Sequence, residues 1–143
     1  MIKNLYDYFL PSQEFYLDKI IYNRMETNNK NTKFILKCID KIDVSMDGDF
    51  VKITVERDLE FEPVDILKLS VSFGAILKFD EIKKQEYNWN ELDLKEEFRE
   101  NGGFVIDNLI KRITLLIAEI TSSFGQAPII VPPEIAKKTK VNA

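Results

Sequence analysis

Residues 67–79 alternate almost without a break. Leu67, Leu69, Val71, Phe73, Ala75, Leu77 and Phe79 share one parity; Lys68, Ser70, Ser72, Gly74 and Lys78 share the other, with Ile76 as the exception. A period of two sorts side chains onto the two faces of a strand, which a helix cannot do with this order. Two further runs repeat it. Phe34, Leu36, Cys38, Ile42, Val44 and Met46 alternate with mostly polar neighbours, interrupted by Asp40. Val51, Ile53 and Val55 alternate with Lys52, Thr54 and Glu56. Between these two runs stands Asp47-Gly48-Asp49, the chemistry of a tight hairpin. Glu60-Phe61-Glu62-Pro63 reads as the following loop, and Gly74 as a bulge in the last strand. Residues 14–25 form a fourth strand with a mixed pattern: Phe15, Leu17, Ile21 and Met25 on one parity, Tyr16, Ile20 and Tyr22 on the other.

The remainder changes period. A short helix is predicted over about 93–100, stopped by Gly102-Gly103. Ile106, Leu109, Ile110, Ile113, Leu116, Ile117, Ile120 and Phe124 then recur at helical spacing, predicting a long helix over 105–124. Gly125 suits its C-cap and Pro128 forbids continuation. An extended apolar segment pinned by prolines follows, Ala127 to Ile135. Strands first and helices after predict an α+β fold: a four-stranded antiparallel meander packed against a long C-terminal helix. The 143 residues make one domain, with 1–12 as an N-terminal extension and 137–143 as a frayed tail.

Composition narrows the chemistry. There is no His, and Cys38 is the only Cys, so His-based triads, imidazole ligands, cysteine zinc sites and internal disulfides are absent. Asp47 and Asp49 belong to a hairpin rather than a calcium loop, which needs further oxygen ligands at fixed offsets. Adjacent acids such as Asp80-Glu81 and Glu96-Glu97 read as solvated faces, and Gly102-Gly103 lacks the spacing of a phosphate loop. Cys38 lies on an apolar parity and reads as a small hydrophobe. The expectation is no enzyme, no cofactor and no metal. A net charge of −4 argues against nucleic acid. The most apolar region, 104–120, carries Asp107, Lys111, Arg112 and Glu119, so no membrane insertion is expected. The N-terminus lacks the apolar core of a secretion signal, and a lone Cys suits a reducing compartment; a cytoplasmic location is expected.

What stands out is surplus apolar surface. Ile20, Tyr22, Ile35, Ile39, Ile66 and Ile76 sit opposite their neighbours' apolar set. Tyr87, Trp89, Ile129, Ile130, Val131 and Ile135 add to it outside the strands. Either the loop and tail cap the core, or this surface binds a partner. Tyr22 and Trp89 are candidates for the second use.

The order of elements resembles the SecB family of export chaperones. So does the run Val71-Ser72-Phe73-Gly74-Ala75-Ile76-Leu77-Lys78-Phe79, similar to the Gly-containing end of that family's last strand. So does the long helix followed by a Gly and an apolar, proline-bearing segment, the likeness covering roughly residues 14–136. The resemblance implies an ATP-independent holdase for unfolded or pre-secretory polypeptides, assembled as a homotetrameric dimer of dimers. It implies peptide binding by Phe73, Ile76, Leu77, Ile129, Ile130 and Val131. It implies an oligomer contact from the long helix, where Ile113, Leu116, Ile117 and Ile120 are the candidates. Its partners would be preproteins with the SecA motor, or a toxin–antitoxin pair. Lys68, Leu69 and Ser70 stand where the family's SecA-docking acid is expected, and Lys137, Lys138 and Lys140 crowd the C-terminus, a departure that favours the second. A reading from another class is an adaptor subunit with one fixed partner.

Overall fold

The computed structural model describes residues 1–24, 35–62, 67–123 and 128–135, Glu62 by its backbone only. Four strands, β1 (Phe9–Arg24), β2 (Ile35–Asp47), β3 (Phe50–Glu62) and β4 (Leu67–Phe79), form one antiparallel sheet in the order β1-β4-β3-β2. Two helices follow, α1 (Leu94–Asn101) and α2 (Gly103–Ser122). The fold is α+β. Strands β2, β3 and β4 are the meander, and β1 closes its far side by pairing with β4.

The hairpin turn sets the register. Asp47 pairs with Phe50, and Gly48 between them has φ 59°, a left-handed conformation that costs a glycine little. From there every pair keeps step to Ile35 opposite Glu62, so β3 runs through the segment predicted as a loop. Pairing with both neighbours outweighs the local loop chemistry. Pro63 lies outside the described residues.

Parity then sorts the faces. Val51, Ile53, Val55 and Leu59 of β3 face inward with Leu67, Leu69, Val71, Ala75, Leu77 and Phe79 of β4, all buried. The outer face carries cross-strand ion pairs, Lys19 with Glu56 at 2.5 Å and Lys68 with Glu60 at 3.5 Å. Gly74 does not bulge; β4 keeps continuous register with β3. The irregularity falls on β1, between Leu17 and Lys19. Gly74 serves a different purpose: a Cβ there would overlap the Tyr16 ring.

Helix α1 starts at Asp93, whose carboxylate accepts from the Glu96 amide at 3.3 Å. Gly102 closes α1 and opens α2, and a Cβ on it would collide with the Phe98 carbonyl. Helix α2 begins two residues earlier than predicted; Phe124 and Gly125 lie outside the described residues. It buries Val105, Ile106, Leu109, Ile110, Ile113 and Ile117 against the inner face. Each such apolar side chain contributes about 1.5–3 kcal/mol, which outweighs the poor helix propensity of its many β-branched residues.

The first residues are part of this core rather than an extension. Ile2 and Leu5 are buried, and the Ile2 amide donates to buried Glu97 at 2.9 Å. Phe9 stacks on Phe79 at 4.7 Å, beside Trp89 and Phe98. Residues 137–143, predicted as a frayed tail, lie outside the described residues.

Candidate functional site

Helix α2 does not cover the whole inner face. It crosses β4 and β3, and one flank turns toward β1, where Arg112 lies over the Phe15 ring at 4.3 Å. Leu116 follows Arg112 by four residues, shares that flank and is half-buried against the core. Beyond the helix, the second half of β1 is left open. Leu17, Ile20 and Tyr22 face inward opposite Phe73, Val71 and Leu69, yet are 50%, 42% and 40% exposed. Leu115, 70% exposed, lies instead with Lys111, Glu119 and Ser122 on the face of α2 turned away from the sheet. The result is an apolar strip between α2 and β1, and β1 is an edge strand of the sheet.

The bulge in β1 builds this strip. Leu17 pairs with Phe73 and Lys19 with Ser72, leaving Asp18 as the extra residue. The extra residue reverses parity, so Leu17 before it and Ile20 after it reach the same face. Asp18 itself accepts from the Ser72 hydroxyl at 2.7 Å.

The predicted peptide-binding residues divide into four groups. Tyr22 and half-buried Phe73 belong to the strip. Ile76 lies on the outer face, lining with Phe50, Lys52 and Glu14 a separate shallow cleft of about 440 Å³. Leu77 and Trp89 are core residues: Leu77 is fully buried between β1 and β3, and Trp89 is packed among Tyr8, Phe9 and Phe79 with its indole N–H on the Lys84 carbonyl at 2.7 Å. Burial leaves these two no surface to offer a ligand. Ile129, Ile130 and Val131 lie in the post-helix segment, Ile130 72% exposed and its two neighbours packed on the core. Of the predicted oligomer residues, Ile113 and Ile117 are buried under α2 because its most apolar stripe faces the sheet. Leu116 and Ile120 are half-buried toward the β1 flank.

One feature was missed by the sequence reading: Arg57 shares the apolar parity of β3 yet is fully buried opposite Asp40 of β2. Nε and Nη2 donate to the two Asp40 oxygens at 2.8 Å each. Nη1 donates to Thr114 Oγ1 at 3.2 Å and to the Pro132 carbonyl at 3.0 Å; Nη2 also donates to the Glu134 carbonyl at 2.8 Å. Burial works to lower the Arg57 pKa, and the hydrogen bond and charge of Asp40 outweigh it, so the net shift is upward and the group stays a cation. Burial, with the charge of Asp40, pushes the neighbouring Cys38 thiol up to about 11. That thiol is a poor nucleophile. No group of three or more Asp, Glu or Cys residues that could hold a metal ion occurs among the described residues. No helix among them is long and apolar enough to cross a membrane.

No family model matches the sequence, and no curated protein matches it. Solved structures do match. The chain is similar to the Mycobacterium tuberculosis SecB-like chaperone Rv1957, solved in complex with a ChAD peptide from the HigA1 antitoxin. The TM-score is 0.63 at 11% identity, over 90% of this chain and 92% of that one. The sheet order, the long helix and the likeness together give this chain a SecB-like fold.

Proposed function

We propose that the chain is an ATP-independent holdase that binds extended apolar segments of unfolded or pre-secretory polypeptide. The observation that carries this reading is the strip of Leu17, Ile20, Tyr22 and Phe73 beside the edge of β1. An extended segment laid along it would put alternate side chains on the strip. Contacts of that kind select for apolar, extended chain and not for sequence. The protein does this as a non-enzyme in the cytoplasm, as a homo-oligomer built as a dimer of dimers. The similar fold solved with an antitoxin peptide supports a toxin–antitoxin partner over the SecA motor.

The test is light scattering of a chemically denatured protein diluted into buffer without ATP. The wild type is expected to suppress aggregation near stoichiometric ratios. Leu17→Asp and Ile20→Asp each introduce a charge into the strip and are expected to weaken client binding about tenfold, some 1.4 kcal/mol. Both positions are solvent-exposed, so the melting temperature should change little. Absence of protection by the wild type, or full protection by both variants, rejects the reading. A stable one-to-one complex with a single protein, without protection of generic clients, would instead identify an adaptor subunit.

A further inference from the structure

Glycine follows an Asp or an Asn at two places only, Asp47-Gly48 and Asn101-Gly102. A glycine leaves its own main-chain nitrogen unshielded, so that nitrogen can attack the preceding side-chain carbonyl and close a five-membered succinimide ring. In an unfolded chain at neutral pH the Asn step is the faster, because a carboxylate must take up a proton before it can lose water. The fold reverses that order. Asn101 is the last residue of α1 and half-buried, and Gly102 is buried. The Gly102 amide, which would be the nucleophile, donates to the Phe98 carbonyl at 2.8 Å. Attack on Asn101 would require that bond to break and the last turn of α1 to unwind. Asp47-Gly48 is the opposite case. Both residues are exposed, and a Cβ added to Gly48 would meet nothing within 4 Å. The Gly48 N–H makes no hydrogen bond among the described residues. The restraints on this turn are the closing pair of Asp47 with Phe50 and the side chain of Lys84. Lys84 Nζ donates to the Gly48 carbonyl at 3.0 Å and to the Asp49 carboxylate at 3.3 Å.

We propose that Asp47-Gly48 is the site at which the folded protein spontaneously converts to isoaspartate, and that α1 keeps Asn101-Gly102 closed. The only co-reactant is water. The Gly48 nitrogen bonds to Asp47 Cγ, and the hydroxyl of the protonated carboxyl leaves as water with the hydrogen from that nitrogen. Water then opens the ring. Opening at Cγ restores aspartate; opening at the Asp47 main-chain carbonyl carbon leaves Gly48 joined through the side chain. That product carries an added methylene in its main chain and a free α-carboxylate. The methylene enters at the turn from which the β2–β3 pairing is counted, from Asp47 with Phe50 to Ile35 with Glu62. The α-carboxylate is the group an isoaspartyl methyltransferase esterifies, which makes the converted turn a substrate for repair enzymes of that class. Lys84 gates the step: Asp47 must rotate about its Cα–C bond, and that rotation draws the Gly48 carbonyl off the ammonium. The proposal stands apart from the holdase reading.

The test ages the full chain in neutral buffer, native and unfolded in urea, and follows isoaspartate by electron-transfer fragmentation of tryptic peptides. Peptide 42–52 carries Asp47, and peptide 100–111 carries Asn101. In native protein isoaspartate is expected at residue 47, with Asn101 unconverted. In urea Asn101 is expected to convert about tenfold faster than in the native chain and to overtake Asp47. Asp47→Glu keeps the charge but would need a six-membered ring, and is expected to remove the signal, which separates residue 47 from Asp43 and Asp49 in the same peptide. Lys84→Met is expected to speed conversion at 47 about threefold, the scale of one exposed charged contact. Methyl transfer from labelled S-adenosylmethionine by an isoaspartyl methyltransferase should rise in step with the signal at 47. A native chain that forms no isoaspartate at 47, or that converts Asn101 as fast as the urea-unfolded chain, overturns the proposal. An unchanged rate in Lys84→Met overturns the gate.

Discussion

Asp40 and Arg57 show how a single buried pair organises this molecule. Both side chains are fully buried, and each would be costly alone. Removing one charge of such a pair typically costs about 3–5 kcal/mol, because the other is left uncompensated, while replacing both by apolar groups is often near neutral. Arg57→Met is therefore expected to lower unfolding free energy by about 3–5 kcal/mol, and Asp40→Leu in the same chain to restore most of it. Urea denaturation of the two single variants and the double variant measures this; equal loss in the single and double variants would contradict it. The pair was partly legible. Asp40 interrupts an apolar parity, and Arg57 continues one two strand positions past Val55. Counting back from the turn puts them opposite each other. What the residues alone could not show is Thr114 and the carbonyls of Pro132 and Glu134, which come from distant parts of the chain.

At the scale of elements, alternation identified β2, β3 and β4, and helical spacing identified α2. Strand β1 read as confused because its apolar residues change parity. The structure explains this by the bulge at Asp18, which no local signal marks. The expected bulge at Gly74 rested on glycine's usual meaning in a strand, whereas here the residue makes room for the Tyr16 ring. The junction of α1 and α2 leaves no room for a side chain at Gly102. At Gly102 an added methyl would meet the Phe98 backbone, which cannot swing aside as a side chain could. Gly102→Ala is expected to destabilise by about 1–3 kcal/mol, the usual cost of overpacking, as measured by thermal unfolding. An unchanged melting temperature would show that the junction has slack.

At the scale of the whole molecule, the sheet has β1 at one edge and β2 at the other. A long edge strand flanked by exposed Leu17, Ile20 and Ile21 invites pairing with another chain. The proposed oligomer would cover such an edge. Size-exclusion chromatography with light scattering is expected to give a multiple of 16.7 kDa, and Ile21→Lys to lower it. A strict monomer at all concentrations would reject the assembly. By itself the sequence determined the secondary structure, the α+β class and the absence of histidine chemistry, because parity, helical period and residue inventory are local properties of the chain. Only the tertiary structure decided which apolar residues remain available. Trp89, Leu77, Ile113 and Ile117 look the same in sequence as Leu17 and Ile20. The first four are consumed by packing and the last two stay half-exposed, because α2 is too narrow to cover a four-stranded sheet and residues 128–135 are fastened on its other side.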